Sequence, residues 1–262
     1  MRKKQPLGQN FLIDPSIARE IAEQAGISPD SRVIEVGPGK GILTRELLER
    51  AGFLLALEID PKLIGPLNRQ FQGNPKFELV QADAMTYDYS AAGPRFQVVS
   101  NLPYYAAMAI VKRLIHYKQH VVDMTLMLQK EVADRLAARP GTRAYGSLSV
   151  FTQFNCRVER LLEVGKQSFS PPPKVDSSVI RLTPLAQPPV AVDDLKTFHH
   201  VVNTAFFHKR KMLRNNLKGL NKPYHMDIQK IEAAGIRLDR RGETLSLQEF
   251  ATLANLIETR ND

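Results

Sequence analysis

Short apolar runs alternate with amphipathic helical segments in the first half of this chain, and this alternation limits the folds open to it. Strands are predicted where apolar residues run together, and helices where they recur every three or four positions. Repeats of this kind form a parallel sheet with helices on its faces. The sequence therefore predicts an α/β fold with a doubly wound, Rossmann-like sheet, with strands over residues 32–36, 53–59, 77–81, 96–100 and 122–128 and helices over residues 42–50, 61–71 and 106–116.

The second half begins with two more helices and two more strands. The helices are predicted over residues 130–138 and 145–154, and the strands over residues 157–164 and 178–182. The two strands are compatible with an antiparallel hairpin.

A linker-like segment follows these strands. Residues 184–189 read Pro-Leu-Ala-Gln-Pro-Pro, and the chain beyond them loses its strand pattern and becomes helical and basic. Helices are predicted there over residues 195–207 and 245–256. We therefore predict a first domain over residues 1–185 and a small, basic, helical second domain over residues 186–262.

The charge of the chain indicates a polyanionic partner. Among its 262 residues, 36 are Lys or Arg and 27 are Asp or Glu, which gives a formal net charge of +9. Cationic surfaces accelerate encounters with phosphates and release their counterions. Nucleic acid is favoured over a membrane, and a merely basic enzyme remains the alternative.

Cysteine and apolar content bear on the compartment and on metals. Cys156 is the single cysteine, so no intramolecular disulfide can form, and we expect it to fill the core. No apolar run reaches the length of a signal-peptide core or a membrane span, so a cytoplasmic protein is expected. His199, His200 and His208 have no carboxylate or thiol at a convincing spacing, and no metal site is predicted.

A glycine-rich turn lies between the first predicted strand and helix. Gly37, Gly39 and Gly41 form a G-x-G-x-G pattern, which lets the backbone approach a ligand closely. The last spacing differs from the dinucleotide pattern, so a nucleoside-sized ligand is favoured over a pyrophosphate. A tight turn without a ligand is the alternative.

Acidic residues follow the next two strands. Glu58 ends the second strand, where a carboxylate can accept both ribose hydroxyls of a nucleoside, and Asp60 competes for this role. Asp83 follows the third strand and can accept from an adenine amine. Each acid can instead be a helix N-cap.

The segment Asn-Leu-Pro-Tyr-Tyr at residues 101–105 is suited to holding an adenine amine. The Asn101 carboxamide supplies one acceptor, and the Leu102 carbonyl, held extended by Pro103, supplies a second. Tyr104 can stack on the purine. Ordinary strand-to-turn punctuation is the alternative reading.

Basic residues cluster in the predicted second domain. Lys209, Arg210 and Lys211 are consecutive, and helical spacing would place Lys211 with Arg214 and Lys218 on one face. Lys3 and Lys4 form a smaller patch. These residues are predicted to contact RNA phosphates, with a solvated surface as the alternative.

Together these motifs resemble those of the KsgA (RsmA) family of small-subunit ribosomal RNA adenine dimethyltransferases, relatives of the Erm enzymes. The resemblance covers nearly the whole chain and includes Gly-Gln-Asn-Phe-Leu at residues 8–12 and Phe-Ser-Pro-Pro-Pro-Lys-Val-Asp-Ser at residues 169–177. It implies a class I methyltransferase sheet and S-adenosylmethionine as cofactor. It also implies that Asn10, Leu12, Gly37, Gly39, Glu58, Asp83 and Asn101 contact the cofactor.

The resemblance further implies the substrate and one more site residue. The expected substrate is two adjacent adenosines in a hairpin loop near the 3′ end of 16S ribosomal RNA, within the small (30S) subunit, and the protein is expected to act as a monomer. Phe169 would be an exposed aromatic that sandwiches the adenine opposite Tyr104, or else a core residue. An Erm-like enzyme acting on large-subunit RNA and a mainly non-catalytic ribosome assembly factor remain the alternatives.

Overall fold

The computed structural model describes residues 9–220 and 224–259. Within them the chain forms two compact units. Of these residues, the first unit comprises 9–133 and 158–184, and the second comprises 134–157, 185–220 and 224–259. Lys3 and Lys4, which are predicted to contact RNA, lie outside the described residues.

The described helices and strands follow one another in an alternating order through most of the chain. The strands are β1 (Phe11–Leu12), β2 (Arg32–Val36), β3 (Phe53–Glu58), β4 (Phe77–Gln81), β5 (Phe96–Asn101), β6 (Val121–Gln129), β7 (Cys156–Val164), β8 (Phe169–Ser170), β9 (Ser177–Pro184), β10 (Tyr224–Met226) and β11 (Ile257–Thr259). The helices are α1 (Pro15–Gln24), α2 (Ile42–Arg50), α3 (Pro61–Gln70), α4 (Ala107–His116), α5 (Lys130–Leu136), α6 (Ser147–Asn155), α7 (Leu195–Ala205), α8 (Leu213–Leu217), α9 (Ile228–Ala233) and α10 (Leu247–Asn255).

The main sheet has the order β4-β3-β2-β5-β6-β9-β7. The pairs β2–β3, β3–β4, β2–β5 and β5–β6 are parallel, whereas β6 and β9 are antiparallel. The strand order changes direction between β2 and β5, and ligands of such sheets bind in the crevice at that switch point. The predicted doubly wound α/β fold is confirmed.

Burial explains why the strands read as continuous apolar runs. In β2, the four residues from Val33 to Val36 are all buried. Strands of a parallel sheet are covered on both faces, so they do not alternate between apolar and polar residues. Glu35 is the exception within this run, and it lies in the candidate site. Elsewhere, buried Cys156 fills the core as expected.

The second unit has a core of its own, and it includes a segment that the sequence assigned to the first domain. Phe154 of α6 packs on Phe198 of α7, with ring centroids 4.7 Å apart, and Tyr145 packs on Phe206 at 5.9 Å. The structure therefore differs from the predicted division, because residues 134–157 join the C-terminal helices. The chain enters the second unit for the last time at Leu185, one residue before the predicted break.

None of the helices within the described residues is long and apolar enough to cross a membrane.

Candidate active site

An open cavity lies in the first unit, at the carboxyl ends of the central strands. The cavity brings together predicted residues that are far apart in sequence. Those that line it are Asn10, Leu12, Gly37, Gly39, Glu58, Asp83, Asn101, Leu102, Pro103 and Tyr104.

The glycine turn after β2 forms one wall of the cavity. Gly37 and Gly39 have φ angles of 69° and 58°, a region that side chains with a Cβ rarely adopt. A Cβ on Gly39 would lie 3.0 Å from Cδ1 of Phe11. Glycine at this position therefore allows the segment around Phe11 to lie directly against the turn.

The segment of residues 9–12, which we call the N-terminal arm, is fixed by the proline-rich loop of residues 171–173. Strand β1 of the arm pairs with β8, and the Asn10 side-chain amide donates to the Pro171 carbonyl at 2.7 Å. The Lys40 ammonium lies 5.0 Å from the centroid of the Phe11 ring, within cation–π range. These contacts hold the arm at the cavity.

Glu58 is buried at the end of β3, with 3% of its surface exposed. Its Oε1 accepts from the Asp60 backbone N–H at 2.8 Å and its Oε2 from the Gly39 N–H at 3.4 Å. Burial raises its pKa, against these hydrogen bonds. Asp60, the competing candidate, caps α3 by accepting from the Lys62 N–H at 3.0 Å and does not line the cavity. The geometry favours Glu58 as the ligand.

Glu35 was not assigned from the sequence, yet it lines the same cavity. It is 1% exposed and accepts a hydrogen bond of 2.7 Å from the Thr44 hydroxyl. Burial raises the pKa of Glu35 to about 8, and the nearby charge of Glu58 adds to this effect. An acidic residue inside a buried strand next to a glycine turn was the available signal.

Asp83 follows β4 and shapes a turn. Its Oδ1 accepts from the Met85 backbone N–H at 2.8 Å, so it caps a turn and not the N-terminus of a helix. Within the described residues Oδ2 has no hydrogen-bond partner, and the residue lines the cavity. Asp83 can therefore cap the turn and still accept from a ligand.

Asn101 and Leu102 end β5 beside the glycine turn. The Leu102 N–H donates to the Met127 carbonyl at 3.1 Å, which fixes this backbone to β6. No described residue donates to the Asn101 side-chain oxygen or to the Leu102 carbonyl. Pro103 packs close to Gly37, since a Cβ there would be 3.8 Å from the proline Cδ. Two acceptors therefore remain available at the cavity.

The Tyr104 ring is fixed by a residue that was not singled out from the sequence. Its hydroxyl shares a 2.7 Å hydrogen bond with the hydroxyl of Ser177, a fully buried residue that begins β9. Burial raises the pKa of Tyr104. Ser177 belongs to the proline-rich motif of residues 169–177. This motif therefore positions the Tyr104 ring of the motif at residues 101–105.

Tyr105 was also not assigned a role. It lines the cavity, and 57% of its surface is exposed. Burial of its hydroxyl, together with the nearby charges of Asp83 and Glu58, raises its pKa. Tyr105 therefore lies on the side of the cavity that carries the acids.

Phe169 is not the exposed aromatic that was expected. It is 2% exposed and belongs to the core cluster that includes Leu12, its partner in the β1–β8 pair. Phe169 is not among the residues that line the cavity. The core alternative is correct for this residue.

The predicted RNA-contacting residues of the second unit are all exposed, but they do not share one helix. Helix α8 spans only Leu213–Leu217, so Lys211 precedes it and Lys218 follows it. Arg214 forms an ion pair of 3.6 Å with Glu232. Of the predicted residues, Lys218 and the consecutive Lys209, Arg210 and Lys211 therefore remain without an ion pair to a described residue.

The histidines considered as metal ligands make contacts with aromatic rings. His199 packs among aromatic rings, and burial lowers its pKa. His200 stacks on Tyr224 with centroids 4.6 Å apart. Across residues 9–220 and 224–259, no group of three or more His, Cys, Asp or Glu side chains is placed to hold a metal ion.

Comparisons of the sequence agree on one family. A family model described as ribosomal RNA adenine dimethylase matches residues 1–259. The chain is 42% identical over 259 residues to a ribosomal RNA small subunit methyltransferase A from Hydrogenovibrio crunogenus, covering 97% of this chain and 96% of that protein. It is 43% identical over 254 residues to the protein of the same name from Clostridium botulinum strain Langeland, covering 96% and 92%.

Solved structures show the same architecture. The chain is similar to the 23S rRNA methyltransferase ErmE, with a TM-score of 0.75, 30% identity, and coverage of 94% of this chain and 99% of that one. A dimethyladenosine transferase from Plasmodium falciparum gives a TM-score of 0.78 at 24% identity, covering 93% and 95%. The second likeness concerns the fold alone.

Proposed function

Because the chain belongs to the ribosomal RNA adenine dimethylase family, we propose that it transfers methyl groups from S-adenosylmethionine to the N6 amines of two adjacent adenosines near the 3′ end of 16S ribosomal RNA. Membership of this family confirms the resemblance noted in the sequence motifs. It also confirms the prediction of a ribosomal RNA adenine dimethyltransferase. What this chain contributes to the reaction follows from the residues at its cavity.

The observation that carries the proposal is the pair of available acceptors after β5. An adenine N6 amine has two N–H donors, and its lone pair is delocalised into the ring. The Asn101 carboxamide oxygen and the Leu102 carbonyl can accept both protons at once. Holding the amine in this way fixes its orientation and opposes the delocalisation, and catalysis of this kind consists mainly of positioning.

Tyr104 supplies a surface for the purine ring. A base inserted beside Asn101 can stack on the Tyr104 ring, and the hydrogen bond to Ser177 limits rotation of that ring. The target adenine must leave its stack to reach the cavity, and an RNA loop allows this at a lower cost than a duplex. In the second round, the monomethylated amine keeps the stacking surface and one donor.

The other wall fits the methyl donor. Glu58, at the end of β3, can accept from ribose hydroxyls, and Asp83 can accept from an adenine amine through its unpartnered oxygen. The Gly37–Gly39 backbone permits close approach, and the N-terminal arm covers the turn. S-Adenosylmethionine supplies an electrophilic methyl group on a positively charged sulfur. No general base is needed before transfer, because the methylated amine becomes cationic and then loses its proton readily.

The relatives support a small-subunit substrate over a large-subunit one. Proteins named as small-subunit methyltransferases are 42% and 43% identical to this chain, whereas the 23S enzyme ErmE is 30% identical. The Lys209–Arg210–Lys211 cluster then contacts phosphates of the 16S RNA within the small subunit. The protein acts as a monomer in the cytoplasm, where that subunit is assembled.

The role of Asn101 is tested with Asn101→Ala and, as a matched control, Asn74→Ala, which removes a carboxamide outside the cavity. Asn101→Ala should lower single-turnover methyl transfer by about 100-fold or more, as expected when a positioned acceptor is removed. Binding of the small subunit should stay within about twofold, since no phosphate contact is lost. Unimpaired transfer by Asn101→Ala would contradict the proposed positioning.

A further inference from the structure

Two consecutive phenylalanines, Phe206 and Phe207, follow the last residue of helix α7 and differ in burial. The Phe206 ring packs inward, with its centroid 5.9 Å from that of Tyr145 and 5.6 Å from that of Phe250. Phe207 is 78% exposed, more than any other large apolar side chain in the described part of the chain. Phe206 supplies the aromatic ring that packs into the core at this turn. The exposed ring of Phe207 is therefore not needed for packing.

The loop that carries Phe207, which we call the 206–212 loop, is held in one conformation by Asn216. The buried Asn216 amide donates to the Ala205 carbonyl at 2.8 Å and to the His208 carbonyl at 3.1 Å. Its side-chain oxygen accepts from the His208 N–H at 3.2 Å. This clamp fixes the backbone on both sides of Phe207, so the ring is presented to solvent at little further entropic cost.

Three cationic residues begin two positions after Phe207. Lys209, Arg210 and Lys211 are exposed, and none of them forms an ion pair with a described residue. Burying this loop in an apolar protein interface would remove three charges from water without partners, which is unfavourable. Insertion into a membrane surface requires a broad apolar face, and a single loop with one ring does not provide it.

A single-stranded nucleic acid can contact both the exposed Phe207 ring and the three cations. Each nucleotide carries a flat base and a negative phosphate, and proteins bind such strands by combining aromatic platforms with a basic surface. The Phe207 ring is flanked by His208, whose ring meets it edge-on at 4.7 Å, and the exposed remainder is available to a base.

We propose that Phe207 stacks on an unpaired base of RNA while Lys209, Arg210 and Lys211 contact the phosphates beside it. The inference rests on the proposed function for the choice of ribosomal RNA as the physiological ligand. Phe207 does not line the cavity, so this base is distinct from the adenine that is methylated. The second unit thus has a base contact as well as a charge contact.

The absence of tryptophan from the sequence allows a direct test. Phe207→Trp places the single tryptophan of the chain at the proposed platform, and stacking on a base quenches indole emission. Titration with a single-stranded, A-rich RNA oligonucleotide should lower the emission about twofold, whereas the same strand in a duplex should have little effect. Heparin, a polyanion without bases, should bind the cations and leave the emission unchanged.

Leu195→Trp is the matched control, because Leu195 is a half-exposed apolar residue of the same unit that follows Asp194. Its emission should not respond to the oligonucleotide. Equal quenching in both variants, or bound RNA with unchanged Phe207→Trp emission, would overturn the proposal. A spectral shift with anionic lipid vesicles and none with RNA would identify a membrane contact and likewise overturn it.

Affinity measurements separate stacking from charge. Phe207→Ala should weaken oligonucleotide binding by roughly 5- to 150-fold, the range for loss of one stacked base, and leave the salt dependence unchanged. Phe207→Tyr should bind like the wild type, and Phe207→Leu like Phe207→Ala. Equal affinities for Phe207→Leu and the wild type would show that an aromatic ring is not needed.

Methyl transfer by the wild-type protein is measured in parallel to separate the two proposals. If the wild type methylates small subunits but Phe207→Trp is not quenched by RNA, the stacking inference alone fails. If RNA quenches the variant but the wild type methylates no ribosomal RNA, the proposed function alone fails.

Discussion

Glu58 combines the properties expected of a ribose ligand. The residue is 3% exposed, and backbone N–H groups of Gly39 and Asp60 hold both carboxylate oxygens at the edge of the cavity. An oxygen placed in this way does not have to be ordered when a ligand binds. Asp60, two residues later, is occupied by the cap of α3.

Glu58→Ala should therefore weaken S-adenosylmethionine binding by roughly 1 to 3 kcal/mol, the value of one or two hydrogen bonds to a charged acceptor. RNA affinity should be nearly unchanged. The measurement is calorimetric titration of the cofactor, with the exposed Glu78→Ala as the control. Cofactor affinity equal to that of the wild type would rule out the ribose assignment.

Glu35 makes the stability of the fold depend on pH. Its pKa is raised by burial to about 8 in the folded protein, above that of an exposed glutamate. The folded state then binds more protons than the unfolded state between about pH 4.5 and 8. The stability contributed by protonated Glu35 is complete below this range and is lost as the pH rises through it.

Glu35→Gln should remove this pH dependence, because glutamine is neutral and can still accept from Thr44. The free energy of unfolding of the variant relative to the wild type should rise by up to about 1.4 kcal/mol per pH unit between pH 5 and 8. Denaturant unfolding at pH 5, 6.5 and 8 provides the measurement. A constant difference between the two proteins would show that the pKa of Glu35 is not raised.

At the scale of elements, the N-terminal arm and the glycine turn act as a unit. Their contact needs a glycine at position 39, where the φ angle is 58° and Phe11 occupies the space of a Cβ. The sequence predicted the close approach of the backbone to a ligand. It did not indicate that an aromatic ring of the arm would lie against the same glycine.

Gly39→Ala tests this contact. We expect a loss of about 1–2 kcal/mol of stability from the backbone strain, and in addition a cofactor affinity lowered about tenfold because the arm must move. Gly73→Ala is the control, since Gly73 has a φ of 77° and no atom within 4 Å of an added Cβ. It should lose similar stability and keep its cofactor affinity. Equal cofactor affinities in the two variants would contradict the role of the arm.

Strands that have a local apolar pattern could be predicted from the sequence. Contacts between residues far apart in the chain could not. The strand before Asn101 and the strand before Gly37 have runs of apolar residues that identify them, and parallel strands end at one edge of a sheet. The burial of Phe169 depends on pairing with Leu12, 157 residues earlier, and the role of Ser177 depends on the Tyr104 hydroxyl. Neither contact leaves a local signal.

At the scale of the whole molecule, the sequence predicted a boundary near residue 185, where the chain enters the second unit for the last time. It did not predict the boundary at residue 134, where the chain first enters that unit. The proline-rich composition of residues 184–189 marks the former. Residues 134–157 look like a continuation of the alternating pattern, and only the packing of Phe154 on Phe198 shows where they belong. The same short range of local signals explains why Lys211, Arg214 and Lys218 were predicted on one helix, whereas α8 holds only Arg214.

The second unit carries the charge that is proposed to meet RNA. Replacing Lys209, Arg210 and Lys211 together by alanine should flatten the plot of log affinity against log salt by about 2 to 3 units, since each phosphate contact contributes about 0.7–0.9. As a control, alanines at the exposed Lys62, Arg69 and Lys112 of the first unit remove the same charge. Equal slopes for both triple variants would show that net charge alone determines binding.

The most direct test of the whole account is the position of the methyl groups. Purified protein is incubated with radiolabelled S-adenosylmethionine and with small or large ribosomal subunits from a strain that lacks this modification, and the label is mapped by nuclease digestion and chromatography. The account predicts N6,N6-dimethyladenosine at two adjacent positions near the 3′ end of 16S RNA. Label on the large subunit alone, or no label despite tight binding of the small subunit, would contradict it.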